Sequence, residues 1–341
     1  MSSLRNSLQV KQQDTGWVIK MQANMVMAIN DALRIAMEND SKVVLLGEDI
    51  GKDGGVFRVT EGLLAKFGEK RVIDTPLAES GIIGTSVGMA LAGLRPIPEI
   101  QFAGFMFLGF SQLVNHAARF RSRSRSTLTV PMVVRTPVSG GVRTLEHHSE
   151  SPEVYYSHMG GLVVVEPSSP YDAKGLMLSA VKLDDPVVFL EPTKLYRLFK
   201  QDIPDGSYEV PIGKANVLRE GNDITIITYG TMVNVVQKTV DAKKVDAEII
   251  DLRTINPLDT RTFVESAKKT GHVVIVHEAS ESFGAGAEVA ARIAEEAIYE
   301  LDAPILRVAS PSLPYPFPGY EKYYLPNEKK IAEAIDKSLS S

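Results

Sequence analysis

The sequence predicts an α/β protein built from two doubly wound domains, and three observations carry that prediction. Short β-rich runs, apolar at nearly every position, alternate with amphipathic helical patterns, as expected for parallel strands buried on both faces. The alternation stops between Glu191 and Asp223 and then resumes with a second set of strands and helices. A chain of 341 residues is also long for a single core.

In the first half, the apolar runs Val43–Leu46, Arg71–Asp74, Ile97–Ile100, Met132–Arg135, Leu162–Val165 and Val187–Leu190 read as strands. Between them Met25–Glu38, Ile82–Gly93, Gly109–Phe120 and Ala173–Lys182 repeat apolar residues at helical spacing. From Glu191 to Asp223 the periodicity fails and Pro192, Pro204 and Pro211 appear among scattered charges, a linker composition that places the boundary near residue 205. The expected division is therefore an extension over residues 1–20, a first domain over 21–205 and a second over 206–341. In the second half, Ile224–Thr228, Ala247–Leu252, Val273–Val276 and Ile305–Val308 read as strands; Met232–Ala242, Asp259–Lys269 and Gly286–Glu300 read as helices. Pro311–Pro318 fits neither element and is expected to drape over the surface before a last helix, Glu328–Leu339.

Composition narrows the function. With no cysteine, disulfides, thiolate nucleophiles and cysteine-ligated metals are excluded. A net charge of -5 offers no long-range attraction for nucleic acid or anionic lipid, so the expected partners are proteins and small molecules. Met1–Lys20 lacks a secretory apolar core, and Ile100–Val114 is too short and too interrupted to cross a bilayer, so no membrane association and a cytoplasmic location are expected.

The densest polar punctuation at a strand end is Asp74-Thr75-Pro76-Leu77-Ala78-Glu79-Ser80-Gly81. Ligands of open α/β sheets bind at the carboxyl ends of strands, so Glu79 is placed to face one; the plainer reading is that it complements the dipole of the next helix. That helix carries Gly81, Gly84, Gly88, Ala92 and Gly93, small residues that let another backbone approach closely, such as that of another subunit. Gly47-Glu48-Asp49 closes an earlier strand, and its acids are either catalytic or merely solvated. Phe102, Phe105, Phe107 and Phe110 form an aromatic cluster after Gln101; such rings are core, or one of them stacks on a planar ligand. His147 and His148 are adjacent and so chelate a metal poorly; a single loop imidazole suits proton transfer, or the loop is simply polar surface. Three patterns mislead. Gly284-Ala285-Gly286 lacks the third glycine of a dinucleotide fingerprint and reads as a helix start. The basic run Arg119–Arg125 is isolated in an acidic chain and reads as a solvated loop or subunit contact. No phosphate-binding Gly-Lys-Ser/Thr loop, serine-nucleophile elbow or zinc helix is present.

The ordered set of motifs resembles the β subunit of the thiamine diphosphate-dependent, decarboxylating component of the 2-oxoacid dehydrogenase complexes. The similarity runs from about Met25 to the end, through Leu45-Leu46-Gly47-Glu48-Asp49, Arg71–Glu79, Ala92–Glu99, Val133-Val134-Arg135, His148-Ser149, Pro170–Gly175 and Pro186–Pro192. It implies a transketolase-like pyrimidine-binding domain followed by a transketolase C-terminal-like domain. It implies that Glu79 hydrogen-bonds N1′ of the cofactor's aminopyrimidine, promoting removal of the thiazolium C2 proton. Phe105 matches the aromatic that packs on the pyrimidine, Leu77 and Gln101 match wall positions, and Glu48 matches an acid of a buried network between cofactors. His148 matches the histidine that orients or protonates the lipoyl dithiolane. The resemblance also implies a potassium ion near Met132 and Ala180, with Asp185 nearby.

Thiamine enzymes hold magnesium and the diphosphate with a Gly-Asp-Gly motif, which this chain lacks. The resemblance therefore implies that an α subunit completes the site and carries the magnesium in an α2β2 heterotetramer, with a dihydrolipoyl acyltransferase core as second partner. The sequence departs from many relatives at Val142–Glu146 and at Glu150, which adds acids near the expected lipoyl entrance. Glu191–Arg197 looks nearer to branched-chain enzymes, so a branched-chain 2-oxo acid is the expected substrate, with pyruvate or acetoin dehydrogenase as the alternative. A split transketolase and a non-catalytic α/β scaffold are the other readings.

Overall fold

The structure is a computed structural model that describes residues 10–13 and 16–341. Residues 1–9, 14 and 15 of the expected extension lie outside the described residues. Among the described residues fifteen strands follow in chain order: β1 (Val10–Gln13), β2 (Gly16–Ala23), β3 (Val43–Gly47), β4 (Val72–Asp74), β5 (Arg95–Glu99), β6 (Val133–Val138), β7 (Val163–Val165), β8 (Val187–Pro192), β9 (Gln201–Pro204), β10 (Asn216–Arg219), β11 (Ile224–Thr228), β12 (Ala247–Asp251), β13 (Thr254–Asn256), β14 (Val273–Ser280) and β15 (Leu306–Ser310). Among the described residues the longer helices are α1 (Met25–Asn39), α2 (Glu79–Leu91), α3 (Pro170–Lys182), α4 (Met232–Lys243), α5 (Thr260–Thr270), α6 (Ala285–Ala297) and α7 (Glu328–Leu339).

Seven strands form the first sheet in the order β13-β7-β8-β6-β5-β3-β4, parallel except at the β13 edge. Five form the second, β10-β12-β11-β14-β15, parallel except for β10. Strands β3, β6, β8, β11 and β12 are buried at every position, which is why their sequences are almost continuously apolar. Helix α1 starts where Asn24 accepts a hydrogen bond from the Met27 amide (3.0 Å), and its buried face packs on α3. Buried Lys174 of α3 reaches Asp31 of α1 at 2.6 Å. One apolar cluster joins the halves, running from Leu46, Ile83 and Val134 to Ile227, Ile250 and Phe263.

The structure departs from the expected elements in three places. The stretch expected as a helix over Gly109–Phe120 is a chain of short turns instead: 3-10 over Ala103–Gly109, π over Gln112–His116, 3-10 over Ala117–Arg119 and a single α turn over Phe120–Arg123. Glycines let this segment press on its neighbours, with Gly104 against the His147 backbone and Gly109 against Ile83 of α2, so contacts override helical spacing. The Glu191–Asp223 stretch, read as a linker, contains the end of β8 together with β9 and β10. Both added strands are short and lie at sheet edges, where proline is tolerated: β10 beside β12 in the second sheet, and β9 beside β2 in a small third sheet of order β1-β2-β9. Third, β13 lies in the second half of the sequence yet closes the edge of the first sheet by pairing antiparallel with β7.

Where the halves meet lies a buried polar seam. Tyr229 donates to Glu153 (2.6 Å), Ser168 donates to Asp251 (2.5 Å), and the Gly140 amide donates to Glu278. Burial raises the pKa of Glu153, Asp251 and Glu278 to about 7 each. His277 is enclosed beside them: a Cβ on Gly286 would lie 2.6 Å from its ring, and Gly284 sits equally close. The Gly284-Ala285-Gly286 start of α6 thus makes room for a buried imidazole.

Candidate active site

Strands β3, β4 and β5 lie side by side and end at the same edge, and their terminal residues build the site. After β3 the chain turns through Glu48 and Asp49, the latter at φ +56°. Asp74, the last residue of β4, folds this turn back by accepting from the Gly51 amide (2.6 Å) and the Lys52 amide (3.0 Å). A close approach of the strand ends requires Gly47, since a Cβ there would stand 2.7 Å from the Glu99 carbonyl oxygen. Helix α2 starts at Glu79 itself, three residues earlier than its periodicity indicates, so the carboxylate occupies the first turn. There it complements the helix dipole and stands at the carboxyl edge of the sheet.

Glu79 is 4 % exposed and Glu48 is 8 % exposed. The Glu48 carboxyl is raised above the usual range, first by burial and then by the negative charges of Glu79 and Asp49. Beside them the buried Thr75 hydroxyl has no hydrogen-bond partner within the chain. Gln101 reaches Asp49 at 3.3 Å and so sits on the same wall. Leu77 is the outlier, 77 % exposed at the tip of the turn, available to whatever covers this edge.

His148 lies in a 3-10 turn, Glu146–His148, that docks on the Ala103–Gly109 segment. Its ring stands 4.2 Å from that of Phe102 and 5.3 Å from that of Phe105, both edge to face. Phe105 is thereby the bridge between the expected pyrimidine wall and the expected lipoyl histidine. Thr144 fastens the turn by donating to the His148 carbonyl (3.2 Å) and bonding the buried Ser149 hydroxyl (2.6 Å).

The remaining expected residues lie apart. The Met132 carbonyl accepts from the Val187 amide (2.9 Å), the Ala180 carbonyl accepts from the Leu183 amide (3.1 Å), and Asp185 pairs with Arg121 at 2.5 Å. A potassium ion there would share oxygens already in use. Among the described residues no cluster of three or more histidine and carboxylate groups is arranged to hold a metal.

Comparison with known proteins gives this edge its context. Residues 21–198 match the family model "Transketolase, pyrimidine binding domain" and residues 213–331 match "Transketolase, C-terminal domain". The chain is 51 % identical over 313 residues to the pyruvate dehydrogenase E1 component subunit beta of Acholeplasma laidlawii, covering 91 % of this chain and 96 % of that one. It is 50 % identical over 321 residues to the proteins of the same name in Staphylococcus epidermidis and Staphylococcus aureus, covering 93 % and 99 %. The chain belongs to the E1 β subunits of the 2-oxoacid dehydrogenases. A solved chain described as a split-gene transketolase, an inactive β4 tetramer, superposes with a TM-score of 0.75 at 20 % identity, covering 94 % of this chain and 99 % of that one. At that identity the likeness concerns the fold.

Within this E1 β fold, sequence reasoning missed the support beneath the site. Arg135 on β6 donates to Glu99 at the end of β5 (2.7 Å) and to both oxygens of Glu191 on β8 (2.7 and 3.0 Å), while Tyr196 donates to Glu191 (2.6 Å). All four residues are buried. Burial opposes the Arg135 charge, but Glu191 and Glu99 outweigh it and hold its pKa above the ordinary value. The available signal was a charged residue inside each of three neighbouring, largely apolar strands. The residues present fit the aminopyrimidine end of thiamine diphosphate, with a buried acid pair, an unpartnered hydroxyl and an aromatic ring at one strand edge. They do not supply a diphosphate cradle, in keeping with the missing Gly-Asp-Gly.

Proposed function

We propose that this chain is the β half of a thiamine diphosphate-dependent pyruvate dehydrogenase E1, completed by an α subunit that brings the magnesium and diphosphate site. The carrying observation is about 50 % identity, over more than nine-tenths of the chain, to E1 β subunits that bear the pyruvate name. Pyruvate thus replaces the branched-chain acid as the preferred substrate. Much of the run Glu191–Arg197, which carried the branched-chain expectation, is engaged within the fold: Glu191 and Tyr196 bind the buried Arg135 cluster, and Arg197, at the surface, donates to the Phe57 carbonyl (2.8 Å).

In this reading residues 21–205 form the pyrimidine-binding domain and residues 206–341 the C-terminal domain. Bound thiamine diphosphate supplies the electron sink that takes up the charge left by departing carbon dioxide. Glu79 holds or shares a proton at N1′ of the aminopyrimidine, from a position only 4 % exposed that shields the exchange from water. Glu48 stands behind it as the second acid of the pair. Phe105, Leu77 and Gln101 wall the ring, and His148 faces the acyl acceptor, a lipoyl group of the acyltransferase core.

The deciding experiment expresses the chain with its α partner and follows decarboxylation with an artificial electron acceptor. Glu79→Gln should lower kcat by about 100-fold or more with the heterotetramer intact by native mass spectrometry. Near-normal turnover would remove Glu79 from this role. In the same assay, a kcat/KM for branched-chain 2-oxo acids above that for pyruvate would overturn the substrate assignment.

A further inference from the structure

A groove of about 540 Å³ opens between the two halves beside the His148 turn. Its polar lining includes Glu150 and Glu278, its aromatic lining Phe107, Tyr155 and Tyr324, and no lysine, arginine or histidine takes part. Glu278 is only 7 % exposed. One of its oxygens accepts from the Gly140 amide and the Ser151 hydroxyl, whereas Oε2 has no partner. Lys194 is the cation whose field reaches Glu278, and among the described residues no ion pair joins the two. A carboxylate that is nine-tenths buried and half unpaired is costly unless a cation meets it.

The rim of the same groove is apolar and open. Phe283 is 89 % exposed there and Leu313 is 65 % exposed, with Tyr155 and Phe107 nearby. Large apolar side chains left in water around a buried charge have the anatomy of a protein interface: a desolvated centre inside a ring that excludes water. A free small cation would fill the centre and leave the rim wet. Aromatic faces beside the acids add cation–π attraction to the same occupant.

We propose that this groove is the seat of a basic side chain, arginine or lysine, that the second subunit inserts between the two halves of this chain to meet Glu278 and Glu150. This rests on the reading that the chain assembles with an α subunit. The cation would neutralise Glu278, and the exposed ring of Phe283, Leu313 and Tyr155 would be covered in the same step.

The test compares wild-type chain with Glu278→Gln and Glu150→Gln at pH 8, measuring the dissociation constant of the complex with the α partner and the thermal midpoint of the β chain alone. Each substitution should weaken assembly, Glu278→Gln by about 30-fold or more. The lone variant chain should melt at the same temperature as wild type or higher, because a desolvated charge has been removed. A purely structural role would raise the dissociation constant and lower the midpoint of the lone chain together, and that result overturns the proposal, as does wild-type affinity in both variants. Free arginine at millimolar concentration that raises the wild-type midpoint, while both variants still assemble normally, would reassign the groove to a small cation. If wild-type chain does not assemble at all, the heterotetramer reading fails first and this inference with it.

Discussion

Arg135 shows how a single residue beneath a site can matter as much as one within it. Its guanidinium holds two buried carboxylates, on the strands either side of its own. Arg135→Met would leave Glu99 and Glu191 without a counter-charge, and a loss of about 3–5 kcal/mol in urea unfolding is expected. Converting Glu99 and Glu191 to Gln in the same chain should restore much of that loss, because the cost lies in the orphaned charges rather than in the absent contact. Legibility at this scale depended on whether the chemistry was local in sequence. Glu79 stood out because the whole turn Asp74–Gly81 is contiguous, and the structure places it at the strand edge where the turn pointed. Glu278 did not stand out, since its significance comes from Gly140, 138 residues away, and from an unpaired oxygen that no sequence pattern records.

Elements were legible where burial alone dictated them. The strands β3, β6, β8, β11 and β12 are sealed on both faces, so apolar runs marked them within a few residues. The segment 103–123 was not, because its conformation follows from what it touches rather than from its own periodicity. Gly104 is the clearest case: an added Cβ would lie 2.6 Å from the His147 carbonyl oxygen and 2.8 Å from its Cα, both backbone atoms that cannot swing aside. Gly104→Ala must therefore push the Glu146–His148 turn off its aromatic bed of Phe102 and Phe105. Decarboxylation measured with an artificial acceptor should stay within about twofold of wild type, while acylation of a lipoyl domain should fall about tenfold or more, a misplacement effect. Equal losses in both assays would mean that the turn does not serve the acyl-transfer step separately.

For the molecule as a whole, the seam between the halves sets the response to pH. Glu153, Asp251 and Glu278 have folded-state pKa values raised to about 7, principally by burial, against about 4 in an unfolded chain. Protonation of these groups favours the folded state. That contribution is complete below about pH 4 and is lost as the pH rises through about 7. His277 acts in the opposite sense, with its pKa lowered to about 4 by burial first and then by Arg307, so the stability it supplies above about pH 6.5 declines on acidification. Between pH 6.5 and 8 the acids change by about 1 kcal/mol each, and His277 by only about 0.4 kcal/mol in the opposite sense, so the acids dominate. The isolated chain should consequently show a lower thermal midpoint at pH 8 than at pH 6.5, and an unchanged or higher midpoint would remove the seam as the cause. The two large, mostly parallel sheets were readable from alternation and from the break after Glu191, but the way they are tied together was not. Strand β13 has three residues, too few for a pattern, and its partner β7 lies about ninety positions earlier. That small strand bears on synthesis. A nascent chain emerging from the ribosome exposes the open edge of β7 until Thr254–Asn256 has followed it out. A fragment ending near residue 205 should accordingly self-associate through that bare edge, whereas one extended past residue 256 carries its own cover.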